Sequence, residues 1–224
     1  MDFEFLTDAI IQYALYLSLI CMVGIVVCAL LIMHKHSAHF VRQKRQKYFQ
    51  ALLDGFLDSE GSEQDFYIEL INQQIKKYPI DCVYGGVRLV ENLDPEHKKK
   101  YFRVASYLRR EDAITACLNS RQLEHQCIGL EAVGLGKVHA LKNQVLSKVT
   151  DPVLAPFAIE ALCSLDGDEA FEYLTQLYQD GLITTAQALR ALSKIDQDCL
   201  MFEFRKNSQH PLAHYFQQAL ALQS

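Results

Sequence analysis

From Ala9 to Met33 the chain reads AIIQYALYLSLICMVGIVVCALLIM, a run without a charged side chain. No other feature constrains the fold so strongly. As a helix rising 1.5 Å per residue the run would be about 37 Å long, more than the roughly 30 Å hydrocarbon core of a bilayer. It is therefore long enough to cross with some tilt. The competing readings are a cleaved export signal and a buried hairpin helix of a soluble protein. An export signal has a positive start, an apolar stretch of about 7–15 residues and a small-residue cleavage site. Here MDFEFLTD precedes the run and is acidic, and the basic residues follow it. The expectation is a retained transmembrane helix.

The flanks set the expected orientation. Asp2, Glu4 and Asp8 lie before the run, whereas Lys35, Arg42, Lys44, Arg45 and Lys47 follow it with no acid before Asp54. Because Lys and Arg near the ends of a span are retained on the inner side, residues 1–8 are expected outside and everything from 34 onward in the cytoplasm. Tyr13 and Tyr16, toward the outer end, suit the headgroup level. The chain is thus divided into a short outer N-terminus (1–8), a transmembrane helix (9–33), a basic amphipathic juxtamembrane helix and turn (34–61), and a folded body (62–224).

Composition limits what that body does. Half of the chain is hydrophobic and 22% is charged, enough to bury a sizeable core. The net charge of −5 includes an excess of bases before residue 48, so the body alone is still more acidic. A domain built to bind nucleic acid neutralises phosphates with Lys and Arg, so no nucleic-acid partner is expected. The basic run His97-Lys98-Lys99-Lys100 with Arg103, Arg109 and Arg110, on a helix expected to open at Asp94-Pro95, is a local exception. It reads either as a solvated helix face or as a docking patch for an acidic partner or anionic lipid. Lys98, Lys99, Lys100 and Arg103 are the partner-docking candidates. Cys82, Cys117, Cys127, Cys163 and Cys199 show no CxxC spacing and fall mostly on apolar helix positions, so they read as reduced, buried thiols.

Beyond the anchor the periodicity is helical throughout. Phe40, Val41, Tyr48, Phe49, Leu52, Leu53 and Phe56 follow the 3.6-residue period, predicting that the membrane helix continues inward and stops near Gly55 to Gly61. Ser62 with Asp65 predicts an N-terminal cap for the next helix. Helices ending near Leu108, Leu135, Leu165, Ile195 and Leu222 recur roughly every 30 residues. Asp94-Pro95 and Asp151-Pro152 predict capped helix starts, and His210-Pro211 keeps the proline at the corresponding point. No segment alternates with period two between hairpin turns. The fold class expected is all-α, a single transmembrane helix followed by an α-solenoid of about five helix pairs.

The stretch Asp151-Pro152-Val153-Leu154-Ala155-Pro156-Phe157-Ala158-Ile159-Glu160-Ala161-Leu162, continuing through Asp166-Gly167-Asp168-Glu169-Ala170 to Leu174 and Leu177, resembles the bacterial HEAT repeat of the phycobilisome-lyase type. The likeness covers about residues 110–222 and weakens toward 65. It departs from the family where Leu154-Ala155 and Thr184-Thr185 replace the usual Val-Arg pair, so the arginine ladder of that family is not expected to carry over. The resemblance implies a bacterial inner-membrane scaffold whose cytoplasmic solenoid docks a protein partner, with envelope or exopolysaccharide-synthesis machinery as the kind of partner implied. Bilin lyases and di-iron hydroxylases share the repeat type, so the alternative is an enzyme or cofactor-binding module.

Neither catalytic residues nor metal ligands emerge from the sequence, and no cofactor is expected. The P-loop, GxGxxG, GxSxG and HExxH patterns, which cradle phosphates, present nucleophiles or bind metals, do not occur. The di-iron enzymes resembling this architecture use repeated His-Glu pairs, and here only the reversed Glu96-His97 and Glu124-His125 are found. His34, His36 and His39 are close in sequence, but on a helix His34 points away from the other two. They read as interfacial histidines. Asp166-Gly167-Asp168-Glu169 reads as a turn with a helix cap.

Overall fold

The computed structural model describes residues 3–104, 110–195, 197–206, and positions 212, 215, 218 and 219. Among them the chain forms eleven α-helices and one short 3₁₀ turn, with no strand. It divides into two units, Met1–Arg45 and Gln46–Ser224.

The first unit is helical from Phe3 onward, as part of α1 (Phe3–Asp58). Described side chains from Tyr16 through Met33 are all exposed, including Ile20, Val23, Ile25 and Leu31. The helix is long and apolar enough to cross a membrane, and none of its most apolar window is buried. A core helix of a soluble hairpin would be covered by protein.

The second unit starts with the last turns of α1, where Phe49, Leu52, Leu53, Phe56 and Leu57 are buried at helical spacing. Phe40, Val41 and Tyr48, expected to extend that face, are instead exposed. α2 (Ser62–Lys77) follows a turn in which Gly61 takes the cap position at φ 60. Ser62 is the first helical residue and makes no capping hydrogen bond, contrary to the sequence expectation. Gly61 reaches the left-handed region without a Cβ penalty, which lets the chain reverse one residue earlier. α2 has Glu63 and Asp65 in its first turn and Lys76 and Lys77 in its last, both favourable to the helix dipole.

Next come α3 (Pro79–Asn92), α4 (Pro95–Val104), α5 (Arg110–Leu118) and α6 (Leu123–Gly136). Asp94 caps α4 as expected: its Oδ1 accepts from the amides of Glu96 at 2.9 Å and His97 at 3.1 Å. Lys137, in the left-handed region at φ 47, ends α6. A single 3₁₀ turn at His139–Leu141 leads into the short α7 (Lys142–Leu146). Asp151 was expected to cap a helix opening at Pro152. Its carboxylate instead accepts from Val153 at 2.9 Å and Leu154 at 3.3 Å, closing a turn. α8 (Ala155–Leu165) starts after that turn, with Pro156 in its first turn, where a missing N–H is harmless.

α9 (Gly167–Gln179) is capped by Asp166 through the amide of Glu169, matching the expected turn and cap. α10 (Thr185–Leu192) has a full capping box, Thr184 accepting from the Gln187 amide while the Gln187 side chain accepts from Thr184. α11 is Gln197–Lys206. The expected helix end at Leu165 is met. Ile195 lies just beyond α10, buried in the following turn. The expected ends at Leu108 and Leu222 and the His210-Pro211 start lie outside the described residues.

Packing runs along the chain. α6 packs against α5 and α8, α8 against α9 and α10, and α9 against α11. Near the other end α3 packs against α2, α5 and α6. One apolar core connects the unit from Phe49 to Ala219. Close approach of the backbones depends on glycine: a Cβ on Gly134 of α6 would lie 3.2 Å from the Ala161 Cα of α8. Between α1, α3, α5 and α6 the core leaves an apolar cavity of about 50 Å³, edged by Tyr101 and Arg110. Burial pushes the Tyr101 phenol up, and Arg110 partly opposes that shift.

Candidate interaction surface

The repeat builds a surface as well as a core. Three helices, α6, α8 and α10, carry the tripeptides Glu131-Ala132-Val133, Glu160-Ala161-Leu162 and Arg190-Ala191-Leu192, roughly 30 residues apart. In each the Ala and the Val or Leu are buried. The charged residue instead faces a groove of about 230 Å³ crossing α6, α8 and α10. One turn later, Leu135, Ser164 and Lys194 line the same groove, and Phe157 contributes a half-exposed ring. Positions i and i+4 share a helix face, so the groove repeats with the same period as the core.

The charges across it are organised. Arg190 Nε of α10 donates to Glu160 Oε2 of α8 at 3.0 Å, bridging neighbouring helices. Burial raises the Glu160 carboxyl above its ordinary value, while Arg190 and Lys194 hold it down. Lys194 also lines an adjoining hollow with Lys137, Asp166, Cys163 and Cys199. At the edge of that region Lys142 donates to Asp166 at 2.9 Å and also pairs with Glu169. Those two carboxylates push the Lys142 ammonium up to about 12 and, in return, Lys142 lowers Asp166. The result is a mixed surface. It has an aromatic ring, paired charges and a lysine amid small side chains.

The basic residues singled out from the sequence fall elsewhere. Lys35 and Lys44 are exposed on α1, with Arg42 and Arg45 half-exposed, all in the first unit. Lys44 Nζ lies 4.6 Å from the centre of the exposed Phe40 ring. Lys47 is exposed in the second unit. On α4, Lys99 is exposed and Lys98 half-buried, whereas Lys100 is drawn into the fold. Its ammonium donates to the carbonyl of Ser59 at 3.0 Å and also to that of Leu57, at the C-terminal end of α1. A cation there satisfies carbonyls that the helix leaves open and suits the negative end of its dipole. The Arg103 side chain lies outside the described residues. His97 Nδ1 lies 2.5 Å from Asp94 Oδ2, and that contact holds the Asp94 carboxyl below its ordinary value. The three described lysines of this expected patch therefore do not act alike.

Among the thiols, Cys82, Cys117 and Cys163 are buried and Cys127 and Cys199 half-buried. Burial, helped by Asp81, pushes the Cys82 thiol up to about 12. No group of three or more His, Cys, Asp or Glu side chains is arranged to hold a metal among the described residues. The groove itself escaped the sequence reading, which weighed charge runs and missed single charges recurring with the period. The signal was the charged residue before each Ala-Val or Ala-Leu pair.

No protein-family model, curated protein or solved structure matches this chain.

Proposed function

We propose that the chain is a single-pass membrane protein whose helical body is a HEAT-like solenoid that docks a protein partner at the membrane surface. In this reading the N-terminus lies outside the inner membrane and the body lies in the cytoplasm. The observation that carries the docking role is the groove across α6, α8 and α10. Its side chains come from equivalent repeat positions and the bridging Glu160–Arg190 pair is held between helices. Solenoids present such surfaces because each unit buries only the face that meets its neighbours. Attachment to a bilayer raises the effective concentration of that surface near other membrane-associated proteins. Orientation rests on the excess of Lys and Arg after the span.

The test places a photocrosslinking residue at Phe157 in the groove, and in a second variant at Tyr173 of α9, which lies outside it. In membranes of the cells that make the protein, the Phe157 variant should give a discrete crosslinked species that the Tyr173 variant lacks. Equal crosslinking at both positions, or none at Phe157 in a folded variant, refutes the groove as the docking surface. A reporter active only in the cytoplasm, fused after Ser224, should be active, and silence would overturn the orientation.

A further inference from the structure

The first unit has chemistry that the docking role does not use. Over residues 34–45 the helix carries Lys35, Arg42, Lys44 and Arg45, with no acid between residues 9 and 53. It also carries Phe40 and Val41, both exposed. Lys44 lies over the Phe40 ring at 4.6 Å, so cation and aromatic are presented together. Exposed aromatics next to long basic side chains suit a membrane interface, where ring and alkyl stem meet the acyl boundary and the charge reaches the headgroups.

We infer that residues 35–45 form an interaction surface for anionic lipid headgroups, holding a local shell of acidic lipid around the helix. This rests on the reading of residues 9–33 as a membrane span. Two features select lipid over an acidic protein. The cations follow the apolar run without a break in the helix, which brings the first of them to headgroup level when the run is in the bilayer. The exposed Phe40 and Val41 are apolar groups that a headgroup boundary covers and that a purely ionic partner would leave in water. Each Lys or Arg near an anionic surface contributes about a fivefold preference, and the effect fades within a Debye length.

The test uses the full chain in lipid nanodiscs made from a mixture of zwitterionic phosphatidylcholine and anionic phosphatidylglycerol. The same disc composition on both faces makes the readout independent of topology. Spin-labelled forms of each lipid report which is held at the protein. At low salt the wild type should favour the anionic label, and the preference should collapse as ionic strength approaches about 1 M, where the Debye length is near 3 Å. Replacing Lys35 and Lys44 by Gln should lower the preference by about fivefold per charge. Lys98→Gln with Lys99→Gln removes as much charge from α4 and should leave it unchanged. A chain that inserts yet shows no anionic preference, or one that Lys35→Gln with Lys44→Gln does not alter, overturns the lipid inference and leaves the anchor intact. A chain that fails to enter the discs overturns the anchor. Retention of an added acidic polypeptide on purely zwitterionic discs, lost in the Lys35 and Lys44 variant, would assign the surface to protein and overturn the inference.

Discussion

Gly129 of α6 gives a sharp test of the helix packing, because two opposing effects of known size meet there. A Cβ added at Gly129 would lie 2.9 Å from the Cβ of Cys117 and 3.1 Å from Leu118 Cδ2, both on α5. Carbon atoms pack best at about 3.5–4.0 Å. The Cys117 Cβ is attached to the α5 backbone, so no side-chain rotation relieves the overlap and the helices must separate. Cys117 and Leu118 are fully buried, which makes that separation an overpacking of the core costing about 1–3 kcal/mol. Replacing a helical Gly by Ala returns about 1 kcal/mol of backbone entropy. The net expectation for Gly129→Ala is a loss of about 0–2 kcal/mol, or up to roughly 6 °C in melting temperature for a unit of this size. Thermal melts of the full chain in detergent, followed by far-ultraviolet circular dichroism, measure it. Gly24→Ala, with no neighbour within 4 Å of the added Cβ, is the matching control and should not lower the transition. A Gly129→Ala protein more stable than wild type would refute the close approach of α5 and α6.

Two further outcomes follow from the charged contacts. Lys100→Gln should destabilise the end of α1 by about 1–2 kcal/mol, since hydrogen bonds from the ammonium to the Leu57 and Ser59 carbonyls are lost or weakened, and hydrogen exchange of the Phe56 to Ser59 region should quicken. The Asp166 carboxyl is held down first by Lys142 and then by the Glu169 amide, so its contribution is full above the ordinary aspartate value and fades as pH falls through its lowered folded value. Asp166→Asn should therefore flatten the acid limb of the stability profile, and an acid limb identical to wild type would count against the Lys142–Asp166 contact.

The long apolar helix and the helix ends nearest strong signals were legible because a single local interaction decides each. An uncharged run needs no tertiary context to exceed a bilayer's thickness, and Asp94 before Pro95 caps α4 through its own neighbours' amides. The misread starts were decided by tertiary geometry. Gly61 displaced Ser62 as cap because the chain must reverse between α1 and α2, and the Pro156 start of α8 competed with an equally good Asp151-Pro152. Exposure was harder still. Phe40, Val41 and Tyr48 continue the period of Phe49 and Leu52, yet only the latter two meet a neighbouring helix. Periodicity finds a face, and whether that face is covered depends on partners far along the chain. Lys100 shows the same limit: a run of three lysines looks uniform in sequence, and the carbonyls that capture one of them lie some 40 residues away.

The recurring tripeptides separate buried packing from groove-lining charge within a turn of helix. In Glu131-Ala132-Val133, Glu160-Ala161-Leu162 and Arg190-Ala191-Leu192 the second and third residues are buried between helices, and the first lines the groove. Substitution at the buried positions removes packing that neighbouring units share, with Leu-to-Ala costs of about 2–5 kcal/mol. Substitution at the groove positions leaves that packing in place. Surface ion pairs such as Glu160–Arg190, with Arg190 largely exposed, add little to stability by themselves. The groove is thus free to change its charges while the helices keep their packing. A folded Arg190→Glu variant, which sets two carboxylates against each other at the centre of the groove, should lose partner binding without unfolding. If it instead melts like a core mutant, the pair is structural and the groove reading of docking fails.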